Sequence, residues 1–363
     1  MMDNVGKHKK LISLVLFLVY VGCIVLCAQE KPRTYVAYKA MDSILIDGKA
    51  DESSWTKAPW SDLFIDIEGI KKPTYDTRMK MLWDENNVYF FTQLEEPHLW
   101  GDIIEHDAVI FHNNDFEIFL DPEADVHGYY ELEWNVLNTV WDQYITAPYR
   151  AGNETINGWE ALGLKSAISV QGTLNDPSDI DKGWSIEIAI PLRDLRTGYY
   201  QNNVPQNQFW RVGFSRVNWD FDITNGKYGR KKDPKTGEFL HENNWVWSPQ
   251  YVINMHEPEK WGYVYFSENI VGTKSVNFEI PKDEHIKWYL YELYRDLISE
   301  NKQEIRWEKT ENAFHGPSKQ LFGENIVPVL ERYTKGFILS AKSPFTQKLL
   351  TVTKEGKFET YED

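Results

Sequence analysis

Two segments near the middle of the chain alternate between apolar and polar positions, which is the period of a β-strand with one buried face. In residues 115–120, one face carries Phe116, Ile118 and Leu120. In residues 129–137, the apolar face carries Tyr130, Leu132, Trp134 and Val136, and the opposite face carries Glu131, Glu133 and Asn135. A hydrophobic core uses only the apolar faces. The polar faces of these two strands therefore predict a binding surface.

Short strands separated by turn residues are predicted throughout residues 35–267. They span residues 43–46, 77–82, 87–94, 115–120, 129–137, 164–170, 184–190, 209–218 and 261–266. Pro, Gly, Asn and Asp, which favour turns, lie between them. Because no long amphipathic helix separates these strands, the pattern predicts a mainly β protein, an antiparallel β-sandwich of jelly-roll-like architecture. One short helix is predicted near residues 52–57, with Asp51 as its N-cap.

The pattern changes after Pro281, and residues 281–363 predict a C-terminal α+β extension with a helix and a small strand pair. Within residues 282–305, the apolar positions at helical spacing are Ile286, Leu290, Leu293, Leu297 and Ile298. Residues 310–335 have the composition of loops. Residues 336–341 and 348–362 predict strands, the second interrupted by a turn at Glu355-Gly356.

The first 28 residues predict a signal peptide. Three lysines precede an apolar run from Leu11 to Leu26, and Cys27-Ala28 supplies small residues for cleavage before Gln29. The protein is therefore expected to be exported to the periplasm, the outer membrane or the medium, and any membrane attachment would use this segment. Both cysteines lie inside it, so the mature chain is expected to have no disulfide and no cysteine metal site.

Composition narrows the classes of partner. The formal net charge is −16, which repels phosphate backbones, and no basic stripe opposes it, so nucleic-acid binding is not expected. The chain contains 15 Trp and 20 Tyr, of which most should pack in the core while a few rings stay exposed. Rings beside amides and carboxylates suit a glycan ligand, whose C–H faces stack on aromatics while its hydroxyls bond to polar groups.

Three carboxylates on the polar faces, those of Asp115, Glu117 and Glu133, are candidates for catalysis. Residues two apart on a strand place their carboxyl groups roughly 7 Å apart, which is compatible with the acid and base of a glycoside hydrolase or lyase. Neighbours on one strand rarely lie on opposite sides of a glycosidic bond, however. Ligand or structural hydrogen bonding is therefore the favoured interpretation, and catalysis is the alternative.

The acidic loop that follows the first of these strands is a candidate calcium site. Asp121 and Asp125 offer carboxylate oxygens at spaced positions, which calcium accepts. The loop lacks the glycine-punctuated spacing of an EF-hand, and solvated loop charge is the alternative. Structural calcium is the only cofactor predicted.

Further ligand contacts are predicted outside the two alternating strands. Arg216 and Asn218 share a strand face, so they could converge on a ligand with the carboxylates. An Arg–Glu bridge across the sheet is an equally favoured alternative for Arg216. The amide-rich and aromatic-rich segment of residues 243–249 adds Asn244 to the predicted contacts.

Several short motifs follow one another in order along the chain. They are Ile46-Asp47-Gly48, Asp51-Glu52-Ser53-Ser54-Trp55, Met81-Leu82-Trp83-Asp84, Val88-Tyr89-Phe90, residues 115–121, residues 183–191 and Trp261-Gly262. Together they resemble the family 9 carbohydrate-binding modules, over roughly residues 35–267. The resemblance implies a β-sandwich that binds a saccharide end, often with structural calcium and usually without catalysis.

The resemblance also implies which residues contact the sugar. Glu117 and Asn135 match a carboxylate and an amide that bind sugar hydroxyls in the family. Glu133 stands where the family has an arginine beside that amide. With these residues, the sequence predicts an exported, non-catalytic carbohydrate-binding protein that serves polysaccharide utilisation.

In the family, two tryptophans clamp the sugar, and their positions are occupied here by His112 and Met255. Trp141, Trp219 and Trp247 are therefore the predicted stacking residues. His112 and Met255 also raise a minor alternative, since His and Met are axial haem ligands in cytochrome domains. Without a Cys-x-x-Cys-His attachment motif, only non-covalent haem would fit.

Overall fold

Two layers of β-strands face each other across a hydrophobic core, as the alternating pattern predicts. The computed structural model describes residues 31–152, 154–195, 204–299, 307–309 and 313–362, so the predicted signal peptide lies outside the described residues. The first layer contains β2 (Ile65–Asp66), β5 (Asp115–Asp121), β6 (Tyr129–Asn135), β7 (Val140–Ile145), β8 (Thr155–Ile156), β11 (Phe209–Asn218), β14 (Asn243–Val246) and β15 (Gly262–Ile270). The second contains β3 (Thr77–Trp83), β4 (Asn87–Glu95), β9 (Lys165–Gln171) and β10 (Gly183–Pro191).

Strand β1 (Thr34–Lys39) crosses from one layer to the other. Its first four residues pair in parallel with β15, Tyr38 pairs in parallel with β3, and Lys39 pairs with both strands. The register shifts between Ala37 and Lys39. In the described part of the chain, hydrogen bonding is therefore continuous along the order β8-β7-β6-β5-β11-β15-β1-β3-β4-β10-β9, with β14 attached to β11 and β2 attached to β14.

The core between the layers is built from the inward faces of the predicted strands. Those of the first layer bury Phe116, Ile118, Leu120, Leu132 and Trp134. Those of the second layer bury Met79, Met81, Phe90, Trp184, Ile186 and Ile188. Because these side chains meet in one cluster, the predicted sandwich and the predicted inward faces of β5 and β6 are confirmed.

Residues 43–46 are not a strand, contrary to the prediction. The Leu45 N–H donates to Glu52 Oε1 at 3.0 Å, and the Asp47 N–H that follows donates to Glu187 Oε2 at 2.9 Å. Side-chain carboxylates thus satisfy backbone donors that a neighbouring strand would otherwise accept. Apolar alternation over four residues could not reveal this substitution of partners.

The short predicted helix is present as α1 (Ser53–Lys57), but Glu52 rather than Asp51 occupies its N-cap position, and no side chain caps it. Several strands were not predicted, among them β1, β7, β14 and the hairpin of β12 (Phe221–Thr224) and β13 (Lys227–Arg230). Short 3₁₀ helices span Ile110–His112, Tyr149–Ala151 and Pro258–Lys260.

The C-terminal extension contains helix α2 (Lys282–Ile298) and more strands than the predicted pair. They are β16 (Glu308–Lys309), β17 (Phe314–His315), β18 (Lys319–Leu321), β19 (Glu324–Ile326), β20 (Val329–Tyr333), β21 (Gly336–Lys342), β22 (Leu349–Thr353) and β23 (Phe358–Tyr361). Six form a sheet in the order β16-β17-β20-β21-β22-β23, and β18 pairs with β19. Strands β17 to β20 correct the prediction of loops over residues 310–335, since strands this short show too few alternating positions to be read.

The predicted apolar stripe of α2 packs against the extension's sheet except at Ile298, which is exposed at the end of the helix. Ile286, Leu290 and Leu293 are buried in one cluster with Leu330 and Leu339. The stripe therefore reflects packing within the fold. Neither α-helix of the described residues combines the length and apolar character that crossing a membrane requires.

Charged residues join α2 to the sandwich. Arg150, in the 3₁₀ helix after β7, lies 2.7 Å from Glu257 and 3.1 Å from Glu259. Arg295 of α2 forms ion pairs with the same two glutamates. Through these ion pairs the extension is linked to two loops of the sandwich, one containing Arg150 and the other containing Glu257.

Replacing Leu290 with Ala is expected to lower the free energy of unfolding by about 2–5 kcal/mol, because its buried side chain would leave a cavity beneath α2. Ile298→Ala is the matched control. Ile298 ends the same helix and is 41% exposed, so its loss should cost less than about 1 kcal/mol. Urea unfolding followed by tryptophan fluorescence measures both, and equal losses would contradict the packing described.

Candidate functional site

A cleft of about 260 Å³ lies on the outer face of β5, β6 and β7, the face that the alternating pattern leaves polar. Its lining residues are Ile67, Phe111, Glu117, Phe119, Glu131, Glu133, Trp141, Gln143, Tyr149, Val217, Glu242, Asn244, Ile253, Asn254, Met255 and His256. We call it the acidic cleft. The three strands form its floor, and the loop of residues 253–256 lines one side.

The strand register aligns polar side chains in rows along the floor. Glu117 of β5 lies opposite Glu133 of β6, which lies opposite Trp141 of β7. In the next row, Glu131 of β6 lies opposite Gln143 of β7. Because residues two apart on a strand share a face, both rows point into the acidic cleft.

Four carboxylates on this strand face are buried, three of which line the cleft, while Asp115 lies beside Glu117 on the same face of β5. Asp115, Glu117, Glu131 and Glu133 are at most 5% exposed. Burial raises the pKa of Glu117 to about 7. Burial, and then the charge of neighbouring carboxylates, holds the pKa values of Asp115, Glu131 and Glu133 well above their usual range. Negative charge at this floor is therefore costly, since each carboxylate loses hydration and repels the others.

Protein donors satisfy only part of this oxygen-rich floor. The Val217 N–H donates to Asp115 Oδ1 at 3.1 Å, and Gln143 Nε2 donates to Glu131 Oε2 at 2.5 Å. Asp115 Oδ2 and Gln143 Oε1 are buried and accept no hydrogen bond from any described residue. A buried acceptor without a protein donor is unfavourable, so these two oxygens remain available to water or to a ligand.

No cationic side chain balances the carboxylates from within the cleft. Among the described residues that line it, none is lysine or arginine. Burial lowers the pKa of His256 to about 3, so its ring is neutral at neutral pH. Its Nδ1 lies 2.9 Å from the hydroxyl of Tyr129, and its ring stacks on Tyr149 with centroids 3.8 Å apart.

Two aromatic rings lie along the acidic cleft. Trp141, a predicted stacking residue, is half-buried and lies opposite Glu133 on the neighbouring strand. Tyr149 is 50% exposed and stands above His256. Both can present part of a ring to a ligand.

The other two predicted stacking residues, Trp219 and Trp247, are buried and do not line the acidic cleft, which corrects the prediction. Trp247 is 2% exposed within the core, and its indole N–H donates to the Val212 carbonyl at 2.9 Å. Trp219 is 6% exposed, and its indole N–H donates to the Phe111 carbonyl at 2.7 Å. Neither ring offers a face for stacking.

Arg216 lies on the strand face opposite that of Glu117, which corrects the prediction that it meets the ligand. The register of β11 places Ser215 beside Glu117, so the next residue points the other way. The Arg216 guanidinium donates to Glu96 at 2.6 Å and to Thr77 Oγ1 at 3.0 Å. The alternative of an Arg–Glu bridge is therefore correct, with Glu96 as the partner.

Asn135 was predicted to contact the ligand, but its amide is fully used within the protein. Its Nδ2 donates to the Ile103 carbonyl at 2.8 Å and to Asn113 Oδ1 at 3.2 Å. Its Oδ1 accepts from the N–H groups of Leu137 and Thr139 at 3.0 and 3.1 Å. An Asn amide has two donors and two acceptor positions, so Asn135 is a structural residue.

Asn244 and Met255 line the acidic cleft, whereas His112, though exposed, does not. Met255 Sδ accepts a hydrogen bond from Gln250 Nε2 at 2.8 Å. The described structure therefore does not bring His112 and Met255 together around one cleft. The haem alternative loses its support.

Asp121 and Asp125, the predicted calcium ligands, lie beside lysines of the extension. Asp125 Oδ2 is 3.4 Å from Lys357 Nζ. Lys287 of α2 is buried, and its ammonium group donates to the carbonyl of Ala124, between the two aspartates. Burial, and then the charge of Asp125, raises the pKa of Asp121 to about 8. The lysines bring positive charge where calcium would, so this geometry does not support the predicted calcium site.

Several cleft residues were missed from the sequence. Glu131 belongs to the predicted polar face of β6 but was not selected as a ligand contact. Gln143 lies on β7, whose residues mix apolar and polar types on both faces and so give no strand signal. Tyr149 and His256 come from segments between strands, where no period predicts which way a side chain points.

Comparison with known proteins gives one family. Residues 46–264 match the family described as carbohydrate family 9 binding domain-like. No curated protein matches the chain.

Three solved structures are similar to the chain. One is a Bacteroides uniformis protein provisionally described as carbohydrate-binding, with 16% identity, a TM-score of 0.48, and 65% of this chain and 100% of that one covered. The others are a family 9 carbohydrate-binding module from Caldicellulosiruptor kristjanssonii in complex with cellotriose and with glucose. Their identities are 14% and 15% and their TM-scores 0.40 and 0.39, each covering 68% of this chain and 100% of the module.

Arg216→Met is expected to lower the free energy of unfolding by about 3–5 kcal/mol, because it leaves the carboxylate of Glu96 buried without its cation. Lys319→Met removes the exposed ion pair with Glu292 and should cost less than about 1 kcal/mol. Urea unfolding compares the two. A stable Arg216→Met variant would contradict the buried ion pair.

Proposed function

Because the chain belongs to the carbohydrate family 9 binding domain-like family, we propose that its acidic cleft binds a carbohydrate without catalysing a reaction on it. The observation that carries the proposal is one row of side chains on the floor. There, the half-buried ring of Trp141 lies across from the carboxylate of Glu133, and Glu117 continues the row. A ring for the sugar's C–H face and acceptors for its hydroxyls are thus adjacent.

The shape of the cleft suits one or a few sugar units. Its volume of about 260 Å³ is small, and Tyr149 stands half-exposed at its edge. Asn244 and Asn254 add amide groups to the lining, which can both donate to and accept from hydroxyls. We expect modest affinity, since each polar contact that replaces water contributes little net free energy.

Binding is favoured over hydrolysis or lysis by the arrangement of the carboxylates. Asp115, Glu117 and Glu133 lie on one face of adjacent strands, and each has an oxygen within 4.8 Å of the others. A glycosidase needs its two carboxyl groups on either side of the scissile bond, not grouped beneath it. The grouped arrangement can hold a ligand but does not span a bond.

Trp141→Ala is expected to weaken glycan binding about tenfold or more, because a buried tryptophan contact commonly contributes at least 1–2 kcal/mol. Trp60→Ala is the matched control, since Trp60 is also half-buried but packs on Phe91 outside the cleft. Isothermal titration calorimetry against neutral, acidic and amino-substituted oligosaccharides measures both. Binding to no member of such a panel, or equal losses in the two variants, would contradict the proposal.

We further propose that the protein is exported and serves polysaccharide utilisation. The support for export is the basic and apolar pattern of residues 7–26 and the small residues before Gln29. The role in polysaccharide utilisation rests on the proposed carbohydrate binding. The purified exported protein is expected to begin at Gln29 by mass spectrometry. Leu16→Arg, which puts a charge in the apolar run, should leave the protein inside the cell, and normal export of that variant would contradict the assignment.

A further inference from the structure

We infer that the acidic cleft binds a calcium ion through Asp115, Glu117 and Glu133, and that the ion in turn binds hydroxyl groups of the carbohydrate. The second half rests on the proposed function, whereas the ion site stands on its own. This site is distinct from the loop of Asp121 and Asp125 that the sequence predicts.

The distances between the three carboxylates fit a shared ion. One oxygen from each residue lies within 4.8 Å of the corresponding oxygen of the other two. Calcium binds oxygen at about 2.4 Å, so any two of its ligands lie at most about 4.8 Å apart. Three oxygens at that limit would lie about 2.8 Å from their common centre, so at most a small shift of the side chains brings all three to the bonding distance of one calcium ion.

The electrostatics of the floor favour the binding of a positive ion. Three carboxylates with Glu131 beside them have no lysine or arginine among the described lining residues, and His256 is neutral. By contrast, the buried carboxylate of Glu96 meets a cation, the guanidinium of Arg216, at 2.6 Å. A divalent ion would lower the cost of burying several like charges together.

Two unpartnered oxygens also point to a ligand. Gln143, outside the carboxylate set and 3% exposed, lines the same cleft, and its Oε1 accepts no hydrogen bond from the described residues. Asp115 Oδ2 is likewise buried and without a donor. Amide and carboxylate oxygens are the ligands that calcium prefers, whereas zinc prefers histidine and cysteine, which the three-carboxylate set lacks.

The protein leaves part of the ion's coordination open. Calcium takes six to eight oxygens, and the Phe111 N–H already occupies Glu133 Oε2 at 3.1 Å. Positions towards the open side of the cleft would hold water or the hydroxyls of a sugar stacked on Trp141. Neighbouring hydroxyls of a sugar ring suit two such positions.

The ion is tested with the purified protein after treatment with chelator and its removal. Titration with calcium chloride in a calorimeter is expected to show one site, and excess calcium should raise the melting temperature by roughly 5 °C over that in chelator. Magnesium and zinc serve as comparison ions. No heat of binding and no shift with calcium would overturn the inference.

Single-residue variants distinguish the loss of a calcium-coordinating side chain from damage to the fold. Glu133→Gln and Asp115→Asn are each expected to weaken calcium binding about tenfold or more, because affinity follows the number of charged ligands. In chelator both variants should melt at or above the unmodified protein, since each replaces a buried carboxyl group whose ionisation is unfavourable with a neutral amide. Asp125→Asn, in the loop predicted from the sequence, is the matched control and should bind calcium normally. Normal binding by the first two, or loss only in the control, would contradict this site.

Glycan titrations with calcium and with chelator distinguish the two halves of the inference. Glycan binding about tenfold weaker or more in chelator, and restored by calcium, supports both. Equal glycan binding in both buffers would reject the link between ion and sugar while leaving the proposed function intact. Calcium binding without binding of any glycan would reject the proposed function and leave the ion site standing.

Discussion

The pairing register of β5, β6 and β7 is the constraint on which both the core and the acidic cleft depend. With Glu117 opposite Glu133, every second residue of β5 and β6 enters the core and every other one faces outward. A slip of one residue would bury the carboxylates between the layers and expose Phe116, Ile118 and Leu120. The transfer free energy of those apolar side chains, roughly 1.5–3 kcal/mol each, opposes such a slip strongly. The core therefore fixes the position of polar groups whose own burial is unfavourable.

The C-terminal extension supports the same site from the side. Tyr149 and His256, which stack in the acidic cleft, are each followed directly by a residue of the ion-pair network, Arg150 and Glu257. Arg295 of α2 completes that network. The loops that carry the cleft's side wall are thus anchored to the extension and not only to their own strands. Because strand register cannot orient loop residues, a second element that bonds to them gives the wall a defined position.

The surroundings of a residue could be predicted from the sequence where they are set by its neighbours in the chain, and could not where they are set by distant segments. The alternation in β5 and β6 is local, so their inward and outward faces were predicted correctly. The fate of Arg216 is not local, because it depends on how β11 pairs with β5 and on Glu96, 120 residues away in the chain. Trp247 illustrates the same limit, since a tryptophan in a polar segment was expected at the surface but fills the core. Asn135 shows another limit of sequence-based prediction. Only the folded turn reveals that all the hydrogen-bonding positions of its amide are occupied within the protein.

At Glu133 this chain carries an acidic side chain where the resemblance to the family implies a positively charged one. The resemblance implies an arginine at this position, and a guanidinium there would have balanced the charge of Glu117 across the strand pair. Here, the opposite residue is a second carboxylate, so the same register that would form an ion pair instead places two like charges side by side. Such a pair is destabilising unless its charge is neutralised. Protons can do this, since a protonated carboxyl donates a hydrogen bond to its neighbour. A calcium ion can also do it, because the oxygens of Asp115, Glu117 and Glu133 are grouped closely enough to share one ion. The carboxylate at position 133 is therefore what opens this chain to a metal-assisted form of carbohydrate recognition.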